Sequence, residues 1–378
     1  MNRPHSPQAT LANWRVAPYN RWAFHHVRNL IPSADIAHDP RHVRELPVRS
    51  RVLDVRVEPD RGEPLTLAQF LTETQTDAFV VLQRGALIAE HYAHGMTPAS
   101  PHILMSVSKS MLGLLFGSLG IDAERPVTDF VPEVANTAYK GATVRHLLDM
   151  RTGVAFAEDY LATSGPIVEY RKATGWNPLA PGDTPSDLHS FYQHLMEREA
   201  AHGGRFHYIS PNTDLLGWVI ERATGRPYAE LMSEHLWRPS GAEHGAYITV
   251  DRRGAPRTAG GMCVTARDLA RVGQWMIEQP SAWVRDIETG GERAAWDAGS
   301  FVAYFPGMPM RYRSQWYILE GETPLVFALG IHGQNLCVDR TNEVVIAKLS
   351  SQALPLDAAR IALTMRAVSQ LRKCLADG

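Results

Sequence analysis

Lysine is scarce in this chain: 5 Lys stand against 33 Arg in 378 residues. A lysine beside a candidate nucleophile therefore carries more information here than it would in a lysine-rich protein. Cysteine is scarcer still. Cys263, Cys337 and Cys374 are odd in number and far apart, which excludes a disulfide framework. Neither sign of charge dominates. A net charge of −2 leaves no field to draw in nucleic acid or an anionic lipid surface, and neither is expected as a partner. No apolar run is long enough to span a bilayer, and the first thirty residues mix Arg3, Arg15, Arg21, His25 and His26 with Trp14, Tyr19 and Trp22 instead of forming a signal-peptide core. The expectation is a soluble, cytoplasmic protein. Several catalytic signatures are also missing: there is no Gly-x-Ser-x-Gly elbow, no His-Glu-x-x-His and no Walker loop. The 16 histidines are scattered, and the His91/His94 pair has no third ligand nearby in sequence. No metal and no cofactor is expected.

What is present is ordinary globular material, 44% hydrophobic and 21% charged, in a chain long enough for one large domain or two interlocked ones. Residues 1–50 are rich in Pro, Arg and aromatics without a clear period and read as an arm packed on the body. Phe79-Val80-Val81-Leu82, Arg84-Gly85 and Ala86-Leu87-Ile88-Ala89 read as a buried hairpin. Gln315 to Leu319, Leu325 to Ile331 and Leu336 to Leu349 read as further strands, the last broken at Arg340-Thr341-Asn342.

Helices are expected between these strands. Thr143, Ser186, Asn212 and Thr265 are the expected caps, and a last helix carries Ile361, Met365, Val368 and Leu375 on one face. The organisation predicted is α+β: an antiparallel sheet built from both chain ends and flanked by helices, with an inserted, mostly helical lobe. The sheet region takes residues 51–135 and 238–378, and the lobe takes 136–237.

Ser106-Val107-Ser108-Lys109 is the only Ser-x-x-Lys, and it opens the apolar run Met111-Leu112-Gly113-Leu114-Leu115-Phe116. Residues three apart share a helix face, so the Ser106 hydroxyl and the Lys109 amine can meet. The first turn adds unpaired N–H groups and a positive dipole end that suit a developing oxyanion. A serine hydroxyl needs a neighbour to take its proton, and a neutral, desolvated lysine can do so. About a hundred residues on, Phe206-His207-Tyr208-Ile209-Ser210-Pro211-Asn212 precedes a helix. There Tyr208 could relay a proton and Asn212 could hold a substrate carbonyl. Ala328-Leu329-Gly330-Ile331-His332-Gly333-Gln334 reads as a strand end whose glycines allow close backbone approach to substrate.

Taken in this order, the three motifs resemble the β-lactamase and penicillin-binding-protein fold. Within it the chain is most similar to class C-like esterases and the 6-aminohexanoate-dimer (nylon oligomer) hydrolases. Asn13-Trp14, Pro18 to Trp22, Phe24 to Arg28, His146 to Val154, Glu158-Asp159-Tyr160, Gly260-Gly261-Met262 and Thr265 to Arg271 carry that similarity along nearly the whole chain.

The resemblance implies Ser106 as the acylated nucleophile, Lys109 as the base and Tyr208 as the acid for the leaving group. It implies an oxyanion hole from the Ser106 and Ile331 N–H groups, Tyr160 from a mobile loop over the substrate, and Trp316 along the pocket. Ser210, Asn212 and His332 complete the expected substrate-binding set. Two frames of the second motif stay open, Tyr208-x-Ser210 and Ser210-x-Asn212. Ala328 falls where β-lactamases carry a lysine, so the cation that grips a β-lactam carboxylate is absent there. The implied activity is hydrolysis of a small linear amide or ester through an acyl-enzyme, with a β-lactamase, a D-alanyl peptidase or a non-catalytic binding relative as alternatives. A homodimer is implied as well.

Overall fold

The computed structural model describes residues 8–376. Apolar runs from opposite ends of the chain meet in one seven-stranded antiparallel sheet. Its order is Ala86–Tyr92, Thr76–Gln83, Val344–Ser350, Gln334–Asp339, Leu325–Gly330, Trp316–Leu319, Met310–Arg313. The two ends join where Val81 lies opposite Ile346 and Phe79 opposite Lys348. Alternation along these strands makes two cores. Val80, Leu82, Ala328, Leu336, Val345 and Ala347 face a helical layer that includes Val107–Phe116 and Ala266–Glu278. Phe79, Val81, Phe327 and Ile346 face the opposite way, onto the last helix, Ala358–Ala376, which buries Ile361, Met365, Val368 and Leu375. The expected strands, the turn after Asp339 and the amphipathic last helix are all present.

Two expected caps are corrected. Asp187, not Ser186, caps the short helix Leu188–Phe191, because the carboxylate of Asp187 accepts from Ser190 N–H. The helix expected to begin after Asn212 begins at Ser210 and runs to Thr224. Pro211, with its missing N–H, is tolerated in that first turn. The Ser210 N–H is satisfied at 2.8 Å by Glu158, a residue 52 positions away, and no local pattern could reveal such a cap. Thr143 and Thr265 cap as expected.

The arm is more than a wrapping. Its segment Ser33–Ile36 is an edge strand of a four-stranded antiparallel sheet, followed by Ala246–Thr249, Met262–Val264 and His102–Ile103. Trp14, Phe24 and Val27 pack against Ile103, Met105, Trp176 and Ile331, so the arm walls one side of the region around Ser106. Among the described residues no helix is long and apolar enough to cross a membrane.

Candidate active site

Strand His102–Ile103 leads into Ser106 through a sharp bend. Met105 takes a left-handed backbone (φ 47°), a conformation costly for a residue with a Cβ and typical of functional turns. Ser106 is the N-cap of helix Val107–Phe116, every residue of which is buried. Val107 N–H donates back to Leu104 O, whereas Ser106 N–H makes no such backbone bond among the described residues. Gly330 fits against this bend so closely that a Cβ there would lie 2.7 Å from Leu104 O and 3.1 Å from Ser106 N. Glycine at 330 is what lets the strand end, and Ile331 after it, approach the helix N-terminus.

Lys109 Nζ has three partners: Ser106 Oγ at 3.0 Å, Ser210 Oγ at 3.1 Å and Ala259 O at 2.7 Å. Burial pushes its pKa down to about 7, an effect that attraction from Glu158 only partly offsets. A neutral amine has two N–H bonds and one lone pair. The two N–H groups match Ser210 Oγ and Ala259 O, which leaves the lone pair for the Ser106 hydroxyl. The Tyr208 ring lies 5.0 Å from Lys109 Nζ, beside the Ser106–Lys109 pair. Burial above all holds the phenol far above its usual pKa, so it keeps its proton at neutral pH. Ser210 donates to Glu158 Oε1 at 2.5 Å while it accepts from Lys109. The structure thus brings Tyr208 and Ser210 to the same amine, with different neighbours on their far sides.

Glu158, Asp214 and Arg257 were given no role by sequence reasoning. Asp214, fully buried, pairs with Arg257 and accepts from Ala259 N–H at 2.8 Å. Arg257 and Asp214 therefore fix the backbone whose carbonyl holds Lys109. Their separation by 43 positions hides them from any motif. Glu158 lay inside a quoted similarity segment, but only the fold shows its carboxylate on Ser210.

Ser106, Ser210, Glu158, Tyr160, Trp176, Arg257 and Ile331 line an inner chamber of about 30 Å3, room for one or two waters. Arg15, Tyr160, Arg171 and Ile331 also line an outer vestibule of about 460 Å3. Tyr160 lines both and stands between the two.

Three expected pocket residues lie elsewhere than expected. Trp316 is fully buried on the helix-facing side of its strand. Alternation by one residue turns Tyr317 to the other side instead, in contact with Tyr208. Asn212 is fully buried inside its helix, and its Oδ1 accepts from Tyr139 OH and Thr152 Oγ1, each at 3.0 Å. It is spent on the core and not on a substrate carbonyl. His332 lines the outer vestibule, not the inner chamber, with its Nδ1 2.7 Å from Gln352 O. Burial lowers its pKa to about 4, which leaves the ring neutral. His94 is not paired with His91. Its Nδ1 lies 2.6 Å from Asp77.

Comparison with known proteins agrees with this geometry. The Beta-lactamase family model matches residues 66–369. A 6-aminohexanoate-dimer hydrolase from Paenarthrobacter ureafaciens is 40% identical over 358 residues, covering 91% of this chain and 88% of the relative. A solved structure provisionally designated a 6-aminohexanoate-dimer hydrolase from Bacillus anthracis superposes with a TM-score of 0.86 at 27% identity and covers 98% of both chains. EstCE1, a hydrolase with promiscuous acyltransferase activity, shares the fold with a TM-score of 0.62 at 16% identity, covering 82% of this chain and 98% of its own. With a serine and a desolvated lysine at the head of a buried helix and a family match across most of its length, the chain belongs to the Beta-lactamase family and is a serine hydrolase.

Proposed function

We propose that the protein hydrolyses small linear amide or ester bonds through an acyl-enzyme on Ser106. The observation that carries this reading is the hydrogen-bond set of Lys109, in which a neutral amine has one free lone pair and the Ser106 hydroxyl beside it. Lys109 takes the Ser106 proton as Oγ attacks the carbonyl carbon. The Ser106 and Ile331 N–H groups receive the oxyanion, each such donor being worth about 3–4 kcal/mol. Tyr208, beside Ser106 and protonated, hands its proton to the departing nitrogen or oxygen and regains one from Lys109 across the short Lys109–Ser106–Tyr208 chain. Water then attacks the ester by the same route in reverse. Ser210, donating to Glu158, orients the amine without giving up its own proton. Tyr160, on the loop that also carries Glu158, closes the chamber over the substrate.

The test is labelling with a fluorophosphonate and location of the adduct by mass spectrometry. An adduct on Ser106, absent from Ser106→Ala together with ester turnover, supports the assignment. Full-rate labelling of that variant overturns it.

A further inference from the structure

His25, Asp77 and His102 come from three separate parts of the chain: the arm, the strand Thr76–Gln83 and the strand His102–Ile103 that leads into Ser106. All three are buried, and one ligand atom of each lies within 4.8 Å of the other two. None of them lines the inner chamber or the outer vestibule. The two imidazole rings have centroids 5.3 Å apart. Beside them Phe24 O accepts from Ile103 N–H at 3.0 Å, so the arm and the strand meet at this point.

Hydrogen bonding does not account for the cluster. His102 Nδ1 lies 2.8 Å from Ile103 O, a carbonyl that can only accept, so Nδ1 carries the proton. The other nitrogen, Nε2, then presents its lone pair to Asp77 Oδ2 at 3.3 Å, acceptor facing acceptor. A second proton on that ring would make an ion pair, and such pairs close to about 2.7–2.9 Å. It would also do nothing for His25, which is only 9% exposed. His25 Nε2 is buried without a hydrogen-bond partner among the described residues, a costly state for a polar atom.

A dication held by the two rings and the carboxylate answers both problems. Ligands bonded at roughly 2.0–2.1 Å around a tetrahedral ion stand about 3.4 Å apart, close to the 3.3 Å between His102 Nε2 and Asp77 Oδ2. Two imidazoles and one carboxylate suit zinc and its neighbours in the first transition row, whereas calcium and magnesium take oxygen ligands. The outer contacts also match what metal ligands need. Ile103 O fixes the His102 ring, and Asp77 Oδ1 is held by His94 Nδ1 at 2.6 Å and Ser351 Oγ at 3.2 Å.

We propose that His25, Asp77 and His102 bind a zinc-type dication, which pins the N-terminal arm to the strand leading into Ser106. Its ligands stay out of the chamber, so its effect is on folding and not on the bond-breaking steps.

The experiment uses the full chain purified without a histidine tag, stripped with EDTA and dialysed. After addition and gel filtration, Zn2+ should remain at roughly one equivalent per chain and raise the Tm of the stripped protein by about 5 °C or more. Co2+ in its place should give the intense visible bands of a four-coordinate site. His25→Gln and His102→Gln should lose the bound equivalent. His91→Gln, which alters an exposed ring outside the cluster, should keep it.

Because removal of a buried ring can also unfold the chain, a further variant keeps a ligand in place. With Co2+, His25→Cys should add a thiolate-to-metal absorption in the near ultraviolet that the wild type lacks. No Zn2+ retained by the wild type, an unchanged Tm, equal loss in His91→Gln, retention in both glutamine variants, or no new band in His25→Cys would each overturn the proposal.

Discussion

Two buried lysines, Lys109 and Lys348, each hydrogen-bond a nearby serine of their own segment, and they differ in what surrounds them. Lys109 lies 3.0 Å from Ser106 Oγ, and Lys348 lies 2.6 Å from Ser350 Oγ. Both lysines are 1% exposed, and burial lowers both pKa values to about 7. By distance the second pair looks the better equipped, and by pKa the two are alike. It sits, however, in the middle of the large sheet, where Ser350 is fully buried and donates its N–H to Gln334 Oε1 at 3.0 Å. Ser106 is partly exposed to the chamber, and its N–H makes no backbone hydrogen bond among the described residues. A depressed lysine pKa marks desolvation alone. Catalysis also needs room for a carbonyl and unpaired donors for its oxygen, and only the first pair has both.

The sharpest way to break this comparison is to exchange the roles by mutation. Ser106→Ala and Lys109→Arg should each lower ester kcat/KM by at least ~10³-fold, since arginine cannot act as the base. Ser350→Ala and Lys348→Met should leave fluorophosphonate labelling within about threefold of wild type, because neither residue meets the chamber. Equal losses from the two sets, with melting curves unchanged, would mean that the second pair takes part in the chemistry.

A smaller effect separates Tyr208 from Ser210 at the first pair. An amine leaving group needs a proton and p-nitrophenolate does not. Tyr208→Phe should therefore lose about 10²–10⁴-fold on an amide and much less on p-nitrophenyl acetate. Ser210→Ala should lose similar factors on both, because it disturbs the amine that serves either substrate. The opposite pattern, amide-selective loss in Ser210→Ala alone, would exchange the two roles.

The pH dependence should also differ between the pairs. Lys109 acts only when neutral, so kcat/KM should rise with pH through about 7 and then level. Lys348→Met should keep that profile. An acidic limb near 7 that persists at wild-type rate in Lys109→Arg would remove Lys109 from the assignment.

The smallest effect is on stability. A lysine whose pKa falls from 10.5 to about 7 on folding binds its proton more readily in the unfolded chain. Its contribution to unfolding free energy thus increases as pH rises from about 7 to 10.5, is flat above, and is at its least favourable below 7. Replacing Lys348 by Met should flatten part of that slope in denaturant titrations at several pH values. An unchanged slope would show that Lys348 keeps its charge in the fold.

Much of this was legible in the chain. The Ser106–Lys109 meeting is local helix geometry, and three residues of spacing suffice to state it. The hairpin at Thr76–Gln83 and Ala86–Tyr92, the later strands and the apolar stripe of the last helix follow from period and turn chemistry. Trp316 was misplaced because a strand's period is two, and an error of one residue exchanges Trp316 for Tyr317 at the site. Asn212 was misread because a polar residue before an apolar helix resembles a cap, while here it is buried one turn inside and hydrogen-bonded to Tyr139 and Thr152.

The sequence by itself determined the Ser106–Lys109 pair and the strands and helices that carry it, since each depends on contacts within a few residues. Only the tertiary structure decided what desolvates that amine and which groups surround it. Ala259 O, Ser210 and Glu158 come to Lys109 from segments 150, 101 and 49 positions away, and Arg15 comes from the arm. Desolvation and charge pairing depend on which distant surfaces pack together, and packing of that kind leaves no period in the chain to read.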